Sequence, residues 1–169
     1  ERFEQIQIEE FGSNAEIKFE LIPMSNLGIA YRIKLSHNEF LWLENRHQSG
    51  LDSELPGSGL LVSIEDKEVG NISLNNVNRD SENPYLKIVE ADGNSGLISG
   101  SNSGEASDLF LNGSKFGNDG FEIRERYGGL VPWSIEIENI TDEKIILNFK
   151  TGELPIISVI SYNPEFLDE

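Results

Sequence analysis

The sequence contains no cysteine and only two histidines, His37 and His47, among its 169 residues. Without thiols there is no disulfide framework, no thiolate zinc site and no cysteine nucleophile. Neither histidine belongs to a His-Glu-x-x-His pair, so a self-contained zinc protease of that kind is excluded. That chemistry needs two imidazoles one helical turn apart with a glutamate between them. Basic residues are scarce too, 13 against 30 acids, for a formal net charge of −17. A field of that sign repels phosphate backbones and anionic lipid, which argues against nucleic acid or a membrane surface as partner. No apolar run approaches the roughly 18–20 residues that span a bilayer. The opening Glu1-Arg2-Phe3-Glu4 has neither the basic head nor the apolar stretch of a signal peptide, and there is no initiator methionine. The chain is expected to be a piece of a longer protein whose targeting signal lies upstream.

What the sequence has in quantity is alternation. Ile6 and Ile8, then Ile17, Phe19 and Leu21, then Ile29, Tyr31, Ile33 and Leu35 place apolar residues at every second position. Ile135 and Ile137, then Ile145, Leu147 and Phe149, then Ile157 and Val159 repeat the pattern near the other end. Period two is the signature of half-buried strands. Two continuously apolar stretches, Phe40-Leu41-Trp42-Leu43 and Leu60-Leu61-Val62, read as central strands covered on both faces. Helical spacing nowhere lasts beyond two turns. Sixteen glycines, with many Asn, Asp and Ser, punctuate the strand candidates, as at Ser25-Asn26 and Asn118-Asp119-Gly120. The expectation is an all-β fold, an antiparallel β-sandwich forming a single domain over residues 1–169. One polar region, about residues 71–118, is expected to be a long loop with a short strand at 85–90; such loops are usually functional, ion-bound or disordered.

A Ser-His-Asp site would need a glycine-framed nucleophile elbow, and none is present. The turn Pro56-Gly57-Ser58-Gly59 lacks the lysine of a phosphate-binding loop. With thiols absent and imidazoles few, oxygen donors are the plentiful metal ligands. Calcium takes six to eight of them, at about 2.4 Å, from carboxylates, amides and backbone carbonyls. In the polar loop Glu90-Ala91-Asp92-Gly93-Asn94 leads through Gly104-Glu105 to Asp108, so Asp92, Asn94, Asp108 and Glu105 are the candidate calcium ligands. The same residues also make an ordinary solvated loop. Glu44-Asn45-Arg46 closes an apolar strand and reads as a structural polar knot, because such groups are costly to bury unpaired. Trp42 is expected in the core. Trp133, after Val131-Pro132, is the candidate exposed aromatic of a carbohydrate- or surface-protein-binding module, the alternative reading of the chain. The three Asn-x-Ser/Thr sequons, at Asn71, Asn112 and Asn139, carry no weight without a eukaryotic host.

Four segments occur in order: Glu39-Phe-Leu-Trp-Leu-Glu-Asn-Arg46, Leu55-Pro-Gly-Ser-Gly-Leu-Leu61, Ile88-Val-Glu-Ala-Asp-Gly93 and Trp133-Ser-Ile-Glu-Ile-Glu-Asn-Ile-Thr141. Together they make the chain, from residue 29 onward, resemble the region downstream of the catalytic domain in immune inhibitor A-like secreted bacterial metallopeptidases. The resemblance implies a secreted zinc endopeptidase whose zinc site sits in an upstream domain. The present chain would be a non-catalytic accessory domain packed against it, with the protein substrates of that enzyme as indirect partners. It also implies a calcium-stabilised Asp-Gly loop. The sequence departs from the family's pattern at His47, where Gln is usual, at Leu51, where Trp is usual, and at Ser63-Ile64-Glu65-Asp66, where Trp-His-Ile-Asp is common.

Overall fold

The computed structural model describes residues 2–6, 14–26, 29–70 and 72–152. Among the described residues ten strands form two five-stranded sheets. The first sheet comprises β1 (Arg2–Ile6), β3 (Ile29–Lys34), β4 (Glu39–Arg46), β5 (Gly59–Asp66) and β6 (Leu86–Ile88), in that spatial order. The second runs β2 (Glu16–Leu21), β10 (Ile145–Thr151), β9 (Trp133–Ile140), β7 (Lys115–Gly117) and β8 (Phe121–Glu122). The fold is an all-β sandwich, as the alternation predicts. Its central pairings are antiparallel, while the edge pairs β1–β3 and β7–β8 are parallel. Ile8, Ile157 and Val159 lie outside the described residues.

Each long strand buries one side of its pleat. In β4 the inward row is Glu39, Leu41, Leu43 and Asn45; in β9 it begins Trp133, Ile135 and Ile137. Ile145, Leu147 and Phe149 of β10 face Ile33, Leu60 and Val62 of the other sheet within one core cluster, all at most 1 % exposed. Fully burying each such side chain contributes roughly 1.5–3 kcal/mol, so this layer is the main source of stability. At its two rims the β4 row turns polar. Asn45 Nδ2 donates to the Leu21 carbonyl of the opposite sheet at 2.8 Å. At the other rim Glu39 Oε2 accepts from the backbone N–H of Arg126 at 3.0 Å, in the connection between β8 and β9. Both contacts stitch sheet to sheet.

The apolar run at Phe40-Leu41-Trp42-Leu43 is covered differently from the expectation of two buried faces. Trp42 is half-buried on the outer face, its Nε1 donating to Glu65 Oε2 at 3.1 Å. The Arg32 guanidinium lies 4.4 Å from the Phe40 ring centre and 5.4 Å from that of Trp42. This flat cation shields both rings in place of a second layer of protein. Trp133, expected at the surface, is instead 1 % exposed and packs on Phe149 with ring centres 5.8 Å apart. It stands in phase with Ile135 and Ile137, and that phase, not the preceding proline, decides its side.

The polar region at 71–118 is more than loop. It carries β6, the four-residue helix α1 (Gly96–Ser99), a 3₁₀ turn at Ala106–Asp108 and β7. Val89, Phe110 and Phe116 drop into the core. Leu60 and Phe110 exchange both backbone hydrogen bonds at 3.0 Å, and this bridge clamps the segment to the start of β5. At Gly117, φ is +119° and a Cβ would strike the Trp133 carbonyl, so glycine is required where β7 meets β9. β6 is the edge of its sheet. Asn78 closes that edge locally: its Oδ1 accepts the Leu86 N–H and its Nδ2 donates to the Leu86 carbonyl, both at 2.9 Å.

Ile135→Ala is expected to cost about 2–5 kcal/mol in urea unfolding, the usual penalty for emptying a wholly buried aliphatic site. Leu51→Ala, at a residue 99 % exposed, should stay within about 0.5 kcal/mol of wild type.

Candidate metal centre

The two imidazoles cannot meet. His37 sits in the turn before β4 and His47 just beyond its far end, and eight residues of strand hold them about 25 Å apart. His47 Nε2 instead faces Asp142 at 4.0 Å. Any shared site must therefore be built from oxygen.

Most acidic side chains that approach one another in the fold have cations among them. Glu44 and Asp52 both pair with Arg46, at 2.5 and 3.4 Å. With Asn45 bonded to Leu21, these residues make up the knot at the end of β4. Asp66 and Glu68 pair with Arg126, at 2.9 and 3.2 Å. Glu65 accepts from Trp42 and Tyr85 and faces Lys67 at 3.7 Å. One cluster differs.

Glu90, Asp92 and Asp108 bring carboxylate oxygens within 4.8 Å of one another. No Lys, Arg or His among the described residues pairs with any of the three. The backbone explains how they converge. Ala91 N–H donates to the Asp108 carbonyl at 3.1 Å, which lays the end of β6 alongside the turn that precedes the Leu60–Phe110 bridge. Asp92 is exposed and folds its carboxylate over Asn94, accepting from the backbone N–H at 3.1 Å and from Nδ2 at 2.8 Å. Asp108 is 4 % exposed. Its Oδ2 accepts the Glu105 N–H at 2.7 Å, and its Oδ1 is buried with no hydrogen-bond partner. A buried carboxylate oxygen left without a donor costs on the order of 1–3 kcal/mol or more, so an orphan of this kind calls for a partner.

Oxygens this close can reach one ion, because any two ligands of a calcium ion at about 2.4 Å lie no more than about 4.8 Å apart. Three carboxylates, two of them buried, with oxygen donors throughout and neither thiol nor imidazole in the group, form a hard-cation set. Of the ligands expected from sequence, Asp92 and Asp108 belong to this cluster. Asn94 touches it through Asp92, while its Oδ1 accepts the Gly96 N–H at 2.7 Å. Glu105 contributes its backbone N–H, and its carboxylate is not among the three. Glu90 is the residue that sequence reading passed over. It sits at the end of an apolar run, Ile88-Val89, and a buried carboxylate there is a signal that the reading could have used. Trp133, sealed in the core, offers no surface for a sugar ring.

Comparison with known proteins returns nothing: no family model, no characterised protein and no solved structure matches the chain.

The Glu39 rim has its own consequence. Burial, partly offset by the Arg126 N–H, raises the Glu39 carboxyl above its ordinary pKa, with Asp66 and Glu125 adding to the rise and Lys87 opposing it. The folded state then holds this proton better than the unfolded chain does. The stability it lends is present below the ordinary carboxyl pKa and is lost as pH rises through the raised value. Glu39→Gln keeps an acceptor for Arg126. Urea titrations should find the variant more stable than wild type at pH 7, with that advantage vanishing near about pH 4.

Proposed function

We propose that this β-sandwich is a non-catalytic accessory module of a secreted zinc metallopeptidase, with calcium holding the segment between β6 and β7 in place. The observation that carries the ion is the buried, unpartnered Oδ1 of Asp108, a residue of a carboxylate trio with which no Lys, Arg or His among the described residues pairs. Glu90, Asp92 and Asp108 would hold it, with Asn94 alongside. The neighbourhood of a peptidase rests on the four ordered segments from Glu39 to Thr141, whose resemblance is to the region following a zinc catalytic domain. The non-catalytic reading rests on the same shortage of donors: thiols are missing, and the two imidazoles lie at opposite ends of β4. The partners on this reading are the upstream peptidase domain and, through it, the protein substrates of the whole enzyme outside the cell.

An ion that binds only the folded state stabilises it by RT ln(1 + [L]/Kd), about 2.7 kcal/mol at a hundredfold excess over Kd. For a chain of this size that is roughly 5–11 °C in melting temperature. Differential scanning fluorimetry should record such a rise in calcium, a smaller one in magnesium, which prefers a tighter octahedral shell, and its reversal by chelator. A melting temperature indifferent to both calcium and chelator removes the ion from this account. The chain incubated with zinc and casein should release no peptides; turnover abolished by a single substitution would overturn the non-catalytic assignment.

A further inference from the structure

Glu90 has a second role that Asp92 and Asp108 lack. Its Oε2 accepts the Gly96 N–H at 2.6 Å, shared with Asn94 Oδ1 at 2.7 Å, and its Oε1 alone accepts the Leu97 N–H at 3.2 Å, so this carboxylate reaches both leading amides of α1. A four-residue helix cannot sustain itself through its own hydrogen bonds, because nucleation consumes more freedom than one turn returns. Its position is set from outside, by Glu90 and by close packing at Gly96, where a Cβ would run into the Asn102 amide. Each carboxylate oxygen has two acceptor sites, so an N–H on each leaves Glu90 able to face a cation as well.

The side chains of α1 line two clefts on the outer face of the first sheet. Leu97 and Ile98 wall a cleft of about 500 Å³ that Leu61, Ser63 and Ile88 also line. Leu97 also borders a second cleft of about 300 Å³, between Pro56-Gly57 and Asp108. The wall common to both hangs from the Glu90 carboxylate.

We infer that Glu90 is the third carboxylate of the ion site and that calcium occupancy is transmitted through it to α1, fixing the wall that the two clefts share. This rests on the calcium reading above and goes beyond it, since an ion could bind there without touching the helix. The buried, unpartnered Asp108 Oδ1 supplies the demand for a cation independently of the crowding of charge. Without the ion, three like charges within 4.8 Å repel one another. Asp92, exposed, can turn to solvent; Glu90, 5 % exposed, can relieve the repulsion only by letting go of Gly96 and Leu97. With the ion, the repulsion is replaced by attraction toward one centre, and Glu90 is held in the orientation that caps α1. The loaded site and the ordered helix are then one state.

Amide exchange followed by NMR on the whole chain, with calcium chloride against chelator, tests this directly. The Gly96 and Leu97 amides are expected to slow by about tenfold or more in calcium, while those of β9 and β10 stay as they were. Asp92→Asn should abolish the calcium-dependent slowing of both amides. Glu90→Gln should lower calcium affinity by about tenfold or more in calorimetry and speed exchange at Leu97, whereas the Gly96 N–H keeps Asn94 Oδ1 as an acceptor. Calcium heat with unmoved Gly96 and Leu97 amides overturns this inference and leaves the calcium reading standing. Neither heat nor protection in the wild-type chain overturns both.

Discussion

The inward row of β4 sets the terms for everything else. Four residues, Glu39, Leu41, Leu43 and Asn45, face the opposite sheet, apolar in the middle and polar at each end. The middle pair supplies burial, which has no direction. The end pair supplies direction, because an amide that must reach the Leu21 carbonyl and a carboxylate that must meet the Arg126 N–H allow the sheets one relative placement. A row shifted by one residue would place Phe40, Trp42, Glu44 and Arg46 in the core, and the two charges would have no answer there.

From that frame the segment after β6 takes its shape. Phe110 locks onto Leu60, Val89 sinks into the core, and the stretches on either side are pulled together until three acids share one small volume. Around Arg46 and Arg126, by contrast, neighbouring carboxylates are interleaved with a cation. Here the backbone brings the acids together, and no Lys, Arg or His among the described residues pairs with them. Charge crowding without compensation, next to an orphaned buried oxygen, sets this cluster apart from the merely acidic surface.

Much of the sandwich was legible because period two is a geometric necessity of half-buried strands: Ile17 to Leu21, Ile135 to Ile137 and Ile145 to Phe149 all fall in the sheets where alternation puts them. The tryptophans were harder. Trp42 lies in an unbroken apolar run, where every phase looks alike, and only the register of Leu41 and Leu43 turns it outward. Trp133 was open to a better reading, since it shares parity with Ile135. The polar region resisted because its anchors, Val89 and Phe110, are single apolar residues with no period around them. The acidic cluster was half legible for a related reason. Asp92 and Asn94 are neighbours in sequence, but Glu90 and Asp108 meet through a backbone hydrogen bond between Ala91 and Asp108 that no spacing rule announces.

The side-chain amide of Asn78 occupies both outward-facing backbone groups of Leu86, as a neighbouring strand would. A sheet margin offering free N–H and C=O groups invites another chain to continue the ladder, which is how β-proteins come to aggregate edge to edge. Leu86, itself 46 % exposed, would be a natural start for such growth. A single asparagine thus acts as a one-residue strand, and the sandwich can remain apolar along this border without becoming a template for its own copies.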